Sequence, residues 1–207
     1  MPNRMVFITR CLSGMLAYTN FKRCILRTAL IGLLTVCASS ALASTIQVNH
    51  SKLRLVDNVY QLNSTFTLTL SNFQHEALQE GVSLTFTIEF NLVHHRTWWF
   101  SDQIADVRQQ RTLTYHALTR QYQLTINGLV SNYPDLSDAL RALGSVRQWQ
   151  VVDAVLLKKN IPYIAGVRMW LDTSQLPKPL QVNALTNNDW LLDSHWYHFN
   201  LSPGWKG

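Results

Sequence analysis

Apolar and polar residues alternate with a period of two through several long stretches of this chain. Val82, Leu84, Phe86, Ile88, Phe90 and Leu92 take turns with Ser83, Thr85, Thr87, Glu89 and Asn91. Successive strand side chains point to opposite faces, so this pattern predicts a strand with one face in the core and the other largely wet. Tyr60, Leu62, Phe66, Leu68 and Leu70 alternate similarly with Thr65, Thr67 and Thr69, after a turn at Asp57-Asn58 that follows Leu53 to Val56, and predict a hairpin. The signature returns at Leu113 and Tyr115, at Tyr122, Leu124 and Ile126 before Asn127-Gly128, at Tyr163 to Leu171, and at His195 to Leu201.

Helical signals are few. Asn72 is placed to cap a helix through Phe73, Ala77 and Leu78 that stops at Gly81. Asp135 is placed to cap a second, with Leu136, Leu140 and Leu143 on one face before Gly144. Many strands with so few helices favour antiparallel pairing, because parallel strands need helical crossovers. The expected fold is mainly β, an antiparallel β-sandwich with two short helices. Its alternative is an α+β fold with both helices on one face of a single curved sheet.

The first 43 residues have a different character. Lys22, Arg23 and Arg27 precede the uncharged apolar run Ala29 to Ala38, and Ala41-Leu42-Ala43 before Ser44 is a small-x-small cleavage site. The segment predicts a cleaved signal peptide at residues 1–43, and a start at Met15 would give it ordinary length. The mature part would then be one β-rich exported domain, residues 44–207, in the periplasm of a Gram-negative cell. An uncleaved N-terminal anchor facing the periplasm is the alternative.

Removing the leader changes the composition. Cys11, Cys24 and Cys37 all precede the cut, so disulfides and cysteine chemistry drop out of the mature domain. Five of the 18 Lys and Arg residues also lie there, leaving 13 against 12 acids, or +1. A near-neutral domain lacks the basic face that nucleic acid requires, so no nucleic-acid partner is expected.

The candidate chemistry is sparse. Adjacent His94 and His95 point to opposite faces of a strand, so one metal does not take both; a site joining His94 to His116 or His50 across a sheet is the alternative, and no metal and no cofactor are expected. Asp193-Ser194-His195 are sequence neighbours aimed apart, which does not make a relay, and no catalytic residue is assigned. Glu89, Asp102, Asp106 and Asp153 read as solvated surface and turns rather than as a glycosidase pair. Arg111 is expected at a sheet margin, paired with Asp102 or Asp106. Leu176-Pro177-Lys178-Pro179-Leu180 reads as a polyproline-like connection or a blunted sheet edge, with a docking surface as the sharper alternative. Trp98 and Trp99 either cover an open end of the sandwich or stand out as a platform, and their adjacency suggests one of each. The candidate interaction residues are therefore Arg96, Trp98, Trp99, Tyr115, Arg120, Pro177, Lys178 and Pro179.

Four segments carry a resemblance: His95 to Asp102, Leu113 to Tyr122 with its Tyr-His-Ala-Leu-Thr-Arg-Gln-Tyr core, Leu171 to Leu180, and Trp190 to Trp196. In order and spacing they resemble a proteobacterial family of exported proteins known only as a domain of unknown function, over about Ile46 to Phe199. Thr97 stands where a typical member has a further aromatic. The resemblance implies an envelope location and frequent encoding beside a nitrogen-regulation-type sensor kinase, and it supplies no catalytic residues. The expected function is a non-enzymatic protein-interaction or sensory accessory module, whose partner would be an envelope protein such as a membrane sensor kinase. A glycan-binding or envelope-modifying module using exposed tryptophans and a hydrolase with scattered site residues are the alternatives.

Overall fold

Strand pairing organises the chain into two antiparallel sheets, in a computed structural model that describes residues 45–95 and 101–202. The smaller sheet has the order β1-β2-β7, from strands β1 (Thr45–Val56), β2 (Val59–Thr69) and β7 (Ser145–Asp153). The larger has the order β6-β5-β4-β3-β8-β9. Its strands are β3 (Leu84–His95), β4 (Ser101–His116), β5 (Gln121–Ile126), β6 (Leu129–Tyr133), β8 (Tyr163–Leu171) and β9 (Tyr197–Leu201). The architecture is the expected mainly β, sandwich-like one, with helices added at its ends.

The hairpins form where turn chemistry asks for them. Asp57 and Asn58 take φ of 47° and 64° between the paired Val56 and Val59, and Asn127 and Gly128 take 50° and 80° between Ile126 and Leu129. Two successive residues at positive φ twist a two-residue loop in the sense the strands already twist.

A single apolar core fills the interior. Leu84, Phe86, Ile88, Phe90 and Leu92 of β3 are all fully buried, together with Leu113, Leu124, Val167 and Met169 of the same sheet. Tyr60, Leu62, Phe66 and Leu68 of β2 and Val146 and Val151 of β7 complete the core from the other sheet.

Among the described residues there are three α-helices rather than two. Helix α1 (Asn72–Gln79) is capped by Ser71, not Asn72: the Ser71 hydroxyl accepts from Gln74 N while Gln74 Oε1 accepts from Ser71 N, a reciprocal capping box. It ends as expected at Gly81, whose φ of 91° lets Val82 N donate to Ala77 O and Gly81 N to Leu78 O. Helix α2 (Leu136–Gly144) starts after Asp135, which makes no side-chain cap hydrogen bond. Gly144 is its last residue, and a Cβ there would collide with Phe66 O of β2, so close approach to a neighbouring strand explains this glycine. Helix α3 (Lys178–Thr186) corrects the reading of Leu176 to Leu180 as a connection or a sheet edge. Pro177 is its N-cap and Pro179 lies in its first turn, where the amide that proline lacks has no intrahelical acceptor.

The back of β3 is not the wet face its pattern suggests. Thr85, Thr87 and Glu89 are as buried as core residues although they point away from the second sheet. Arg108 and Arg168 on the flanking strands cover Glu89, and Thr85 shares a hydrogen bond with Thr112.

Candidate functional site

Antiparallel register sets one cross-strand row on the outer face of the larger sheet. Glu89 of β3 lies directly opposite Arg108 on one side and Arg168 on the other. Arg108 donates from Nε at 2.9 Å and Nη2 at 2.6 Å to Glu89 Oε1. Arg168 donates from Nε at 2.7 Å to Oε2, with its Nη2 also 2.6 Å from that oxygen. The Glu89 side chain is only 5% exposed, whereas those of Arg108 and Arg168 are 59% and 30% exposed. Burial alone would raise the Glu89 pKa, but hydrogen bonds and charge from both arginines outweigh it and hold the carboxyl below its usual range. Glu89 therefore stays ionised at neutral pH, which unsuits it for the proton-donor half of a glycosidase pair. Its expected place on the solvated surface is corrected: two guanidinium groups cover it.

Arg168 is held on both sides. Its guanidinium carbon lies 4.4 Å from the ring centre of Trp170 and 4.6 Å from that of Trp196. A guanidinium over an indole face is attracted by the ring quadrupole and excludes water from it. Trp196 in turn stacks on His198, with centroids 6.0 Å apart and planes 27° apart. Gly166 makes room for this layer, because a Cβ there would meet Asn91 Oδ1 and, at 3.0 Å, Trp196 Cε3.

Beside Arg108 the same face dips into an open groove of about 490 Å³, lined by Thr87, Arg108, Gln109, Gln110, Thr112, Thr125, Asn127 and Gly128. Arg108 is the charged residue of that lining. Thr87 is 4% exposed, and its hydroxyl has no hydrogen-bond partner. A larger groove, about 680 Å³, runs between β1 and Leu191 to Tyr197. Two of its polar side chains are occupied: Asp193 Oδ1 accepts from His195 N at 2.6 Å, and the Ser194 hydroxyl accepts from Met169 N and donates to His195 O, each at 2.9 Å. Asp193, Ser194 and His195 thus serve a turn, and the last strand begins at Tyr197 rather than at His195, whose φ of 56° is not that of a strand.

Arg111 belongs to the inside, which corrects its expected margin position beside Asp102 or Asp106. It is almost fully buried, and it donates to Leu143 O at 2.6 Å, Ser145 O at 3.0 Å, Ala142 O at 3.4 Å and Gln109 Oε1 at 3.0 and 3.2 Å. The cation therefore closes the carbonyl end of α2, where the helix dipole favours positive charge. Burial lowers its pKa to about 10, so it remains charged at neutral pH.

The residues singled out from the sequence scatter. Arg96, Trp98, Trp99, Ala43 and Ser44 lie outside the described residues. Tyr115 packs its ring 4.9 Å from that of Tyr122, and Arg120 sits exposed in the β4–β5 turn at φ 53°. Pro177, Lys178 and Pro179 are exposed at the start of α3. None of these belongs to the Glu89 cluster. His94 lies against Tyr163, their rings 5.5 Å apart, and His116 bonds Gln123. Among the described residues no three of His, Cys, Asp and Glu gather to hold a metal, and no helix is long and apolar enough to cross a membrane.

Reasoning from the sequence missed Arg168, Trp170, Trp196 and His198, and passed over Glu89 and Arg108. The available signal was one acid in the middle of an otherwise Thr and Asn face, Thr85-x-Thr87-x-Glu89-x-Asn91. No curated protein and no solved structure gives a significant match to the chain. A family profile described as Domain of unknown function (DUF4390) matches residues 43–200, and the chain belongs to that family.

Proposed function

We propose that the chain is a non-enzymatic binding module of the periplasm, which docks another envelope protein through the outer face of its six-stranded sheet. The sensory part of a membrane kinase is the partner we propose. One observation carries this reading. The outer face is built as a rigid ionic and aromatic layer, with Glu89 clamped by Arg108 and Arg168 and Arg168 wedged between Trp170 and Trp196. Arginine and tryptophan are the residue types that most often dominate binding energy at protein interfaces. Side chains already held in ionic and stacking contacts lose less entropy on docking than free ones do.

The occupied side chains argue in the same direction. Glu89, Asp193 and Ser194 are each committed to hydrogen bonds that hold the fold. Sugar stacking needs an open indole face, and Trp196 already has Arg168 and His198 against its ring.

Affinity capture from the native envelope tests the proposal, comparing wild type with Trp196→Ala, with Arg108→Glu and with Gln150→Glu on the smaller sheet. A partner retained by wild type and Gln150→Glu but lost by both outer-face variants is the expected result, provided their melts show a folded protein. Capture that ignores the outer-face substitutions would overturn it.

A further inference from the structure

We infer that the groove beside Arg108 receives a carboxylate of an acidic peptide segment, an Asp or Glu side chain of the docked protein. The inference rests on the proposed docking face and adds the chemistry of what is recognised there. Charge comes first. One buried carboxylate, Glu89, is shared between two arginines, a surplus of positive charge that Asp106, two residues along β4 from Arg108, offsets only in part. Of its two arginines, Arg108 is the more exposed and lines the groove. Both of its hydrogen bonds to Glu89 use Nε and Nη2, which leaves Nη1 for a ligand.

The hydrogen-bond inventory comes second. The Thr87 hydroxyl is buried without a partner, although buried polar groups are nearly always satisfied, and this residue lines the same groove. A carboxylate accepts through two oxygens, so one anionic group can take bonds from a guanidinium and a hydroxyl together. Gln110, Thr125 and Asn127 bring further uncharged donors around it. No acid is in the lining to repel it. Peptide is favoured over acidic sugar because Trp170 and Trp196, the indoles of this face, are stacked on Arg168.

The probe is a short uncharged-ended peptide with one central Glu, titrated into isotope-labelled protein while the Arg108 Nε–H, Thr87 and Gly128 signals are followed by NMR. The matched Gln peptide, glucuronate and inorganic phosphate form the other arms. Saturable shifts with the Glu peptide alone are expected, with affinity falling at least about tenfold in Arg108→Gln, as loss of one charge-assisted bond implies. A smaller loss is expected in Thr87→Val, which keeps the shape and removes the hydroxyl; unchanged melting confirms that both variants fold. The inference is overturned if the Gln peptide, glucuronate or phosphate binds as well as the Glu peptide, if Arg108→Gln binds undiminished, or if no arm saturates. In the last case, partner capture that still depends on Trp196 would show that the docking face stands and the carboxylate reading alone has failed.

Discussion

Deleting both arginines around Glu89 should cost more than deleting Glu89 itself. Glu89→Ala removes a buried anion and leaves two cations that reach solvent, since their side chains are 59% and 30% exposed. The cost is then a few charge-assisted hydrogen bonds without a stranded charge, and we expect about 1 to 3 kcal/mol. Arg108→Ala alone should be mild, because Arg168, itself held against two indoles, still bonds the carboxylate. Removing both arginines takes away both cations that Glu89 bonds and with them its cover, so water relieves part of the stranded charge and the loss should lie near the lower end of a ruptured buried pair, about 3 kcal/mol. The two single losses should therefore sum to clearly less than the double loss in a urea-unfolding cycle. The pH dependence has a definite sign. In the wild type the Glu89 pKa is lowered, so its contribution is present above the ordinary glutamate value and is lost as pH falls through the lower folded value. In the double variant protonation relieves the stranded charge, so the gap to wild type should narrow between about pH 6 and pH 4. Additive single losses with a gap independent of pH would refute this account of the cluster.

Other substitutions probe the supports. Arg111→Leu leaves three carbonyls at the end of α2 without their donor, and urea unfolding should show a loss of about 2 to 4 kcal/mol. Gly166→Ala forces Asn91 or Trp196 aside, and the expected result is a loss of about 1 to 3 kcal/mol together with altered Trp196 fluorescence. For Trp98 and Trp99 a split is expected: one Ala variant should lose on the order of 3 to 5 kcal/mol in thermal melts, as a buried indole does, and the other should stay stable while weakening capture. Equal, large destabilisation by both would end the reading of one of them as an exposed platform.

The sequence was most legible where local rules decide. The β3 alternation located a core strand, Asp57-Asn58 and Asn127-Gly128 located two-residue turns, and Gly81 located a helix end. Each depends on neighbours within a few positions. Helix α3 was misread because a proline pair signals a break in general, yet is harmless in a first turn, and only the residues beyond it decide between the two. The outer-face cluster was illegible for a different reason. Alternation shows which residues share a face with Glu89, but Arg108 and Arg168 come from strands 19 and 79 residues away, in a register set by the whole sheet. Arg111 shows the same limit: a margin beside Asp102 or Asp106 is the reading that nearby sequence offers, whereas three of its acceptors lie 31 to 34 residues further on, at the end of α2.

The most direct test of the docking face is photo-crosslinking in living cells from single positions on opposite surfaces. A crosslinking residue at Gln110 stands on the outer face of the six-stranded sheet beside the Arg108 groove, and one at exposed Gln150 stands on β7 of the smaller sheet. The account predicts one discrete adduct with an envelope protein from position 110, weakened by Trp196→Ala, and none from position 150. An adduct from position 150 with none from position 110 would contradict it.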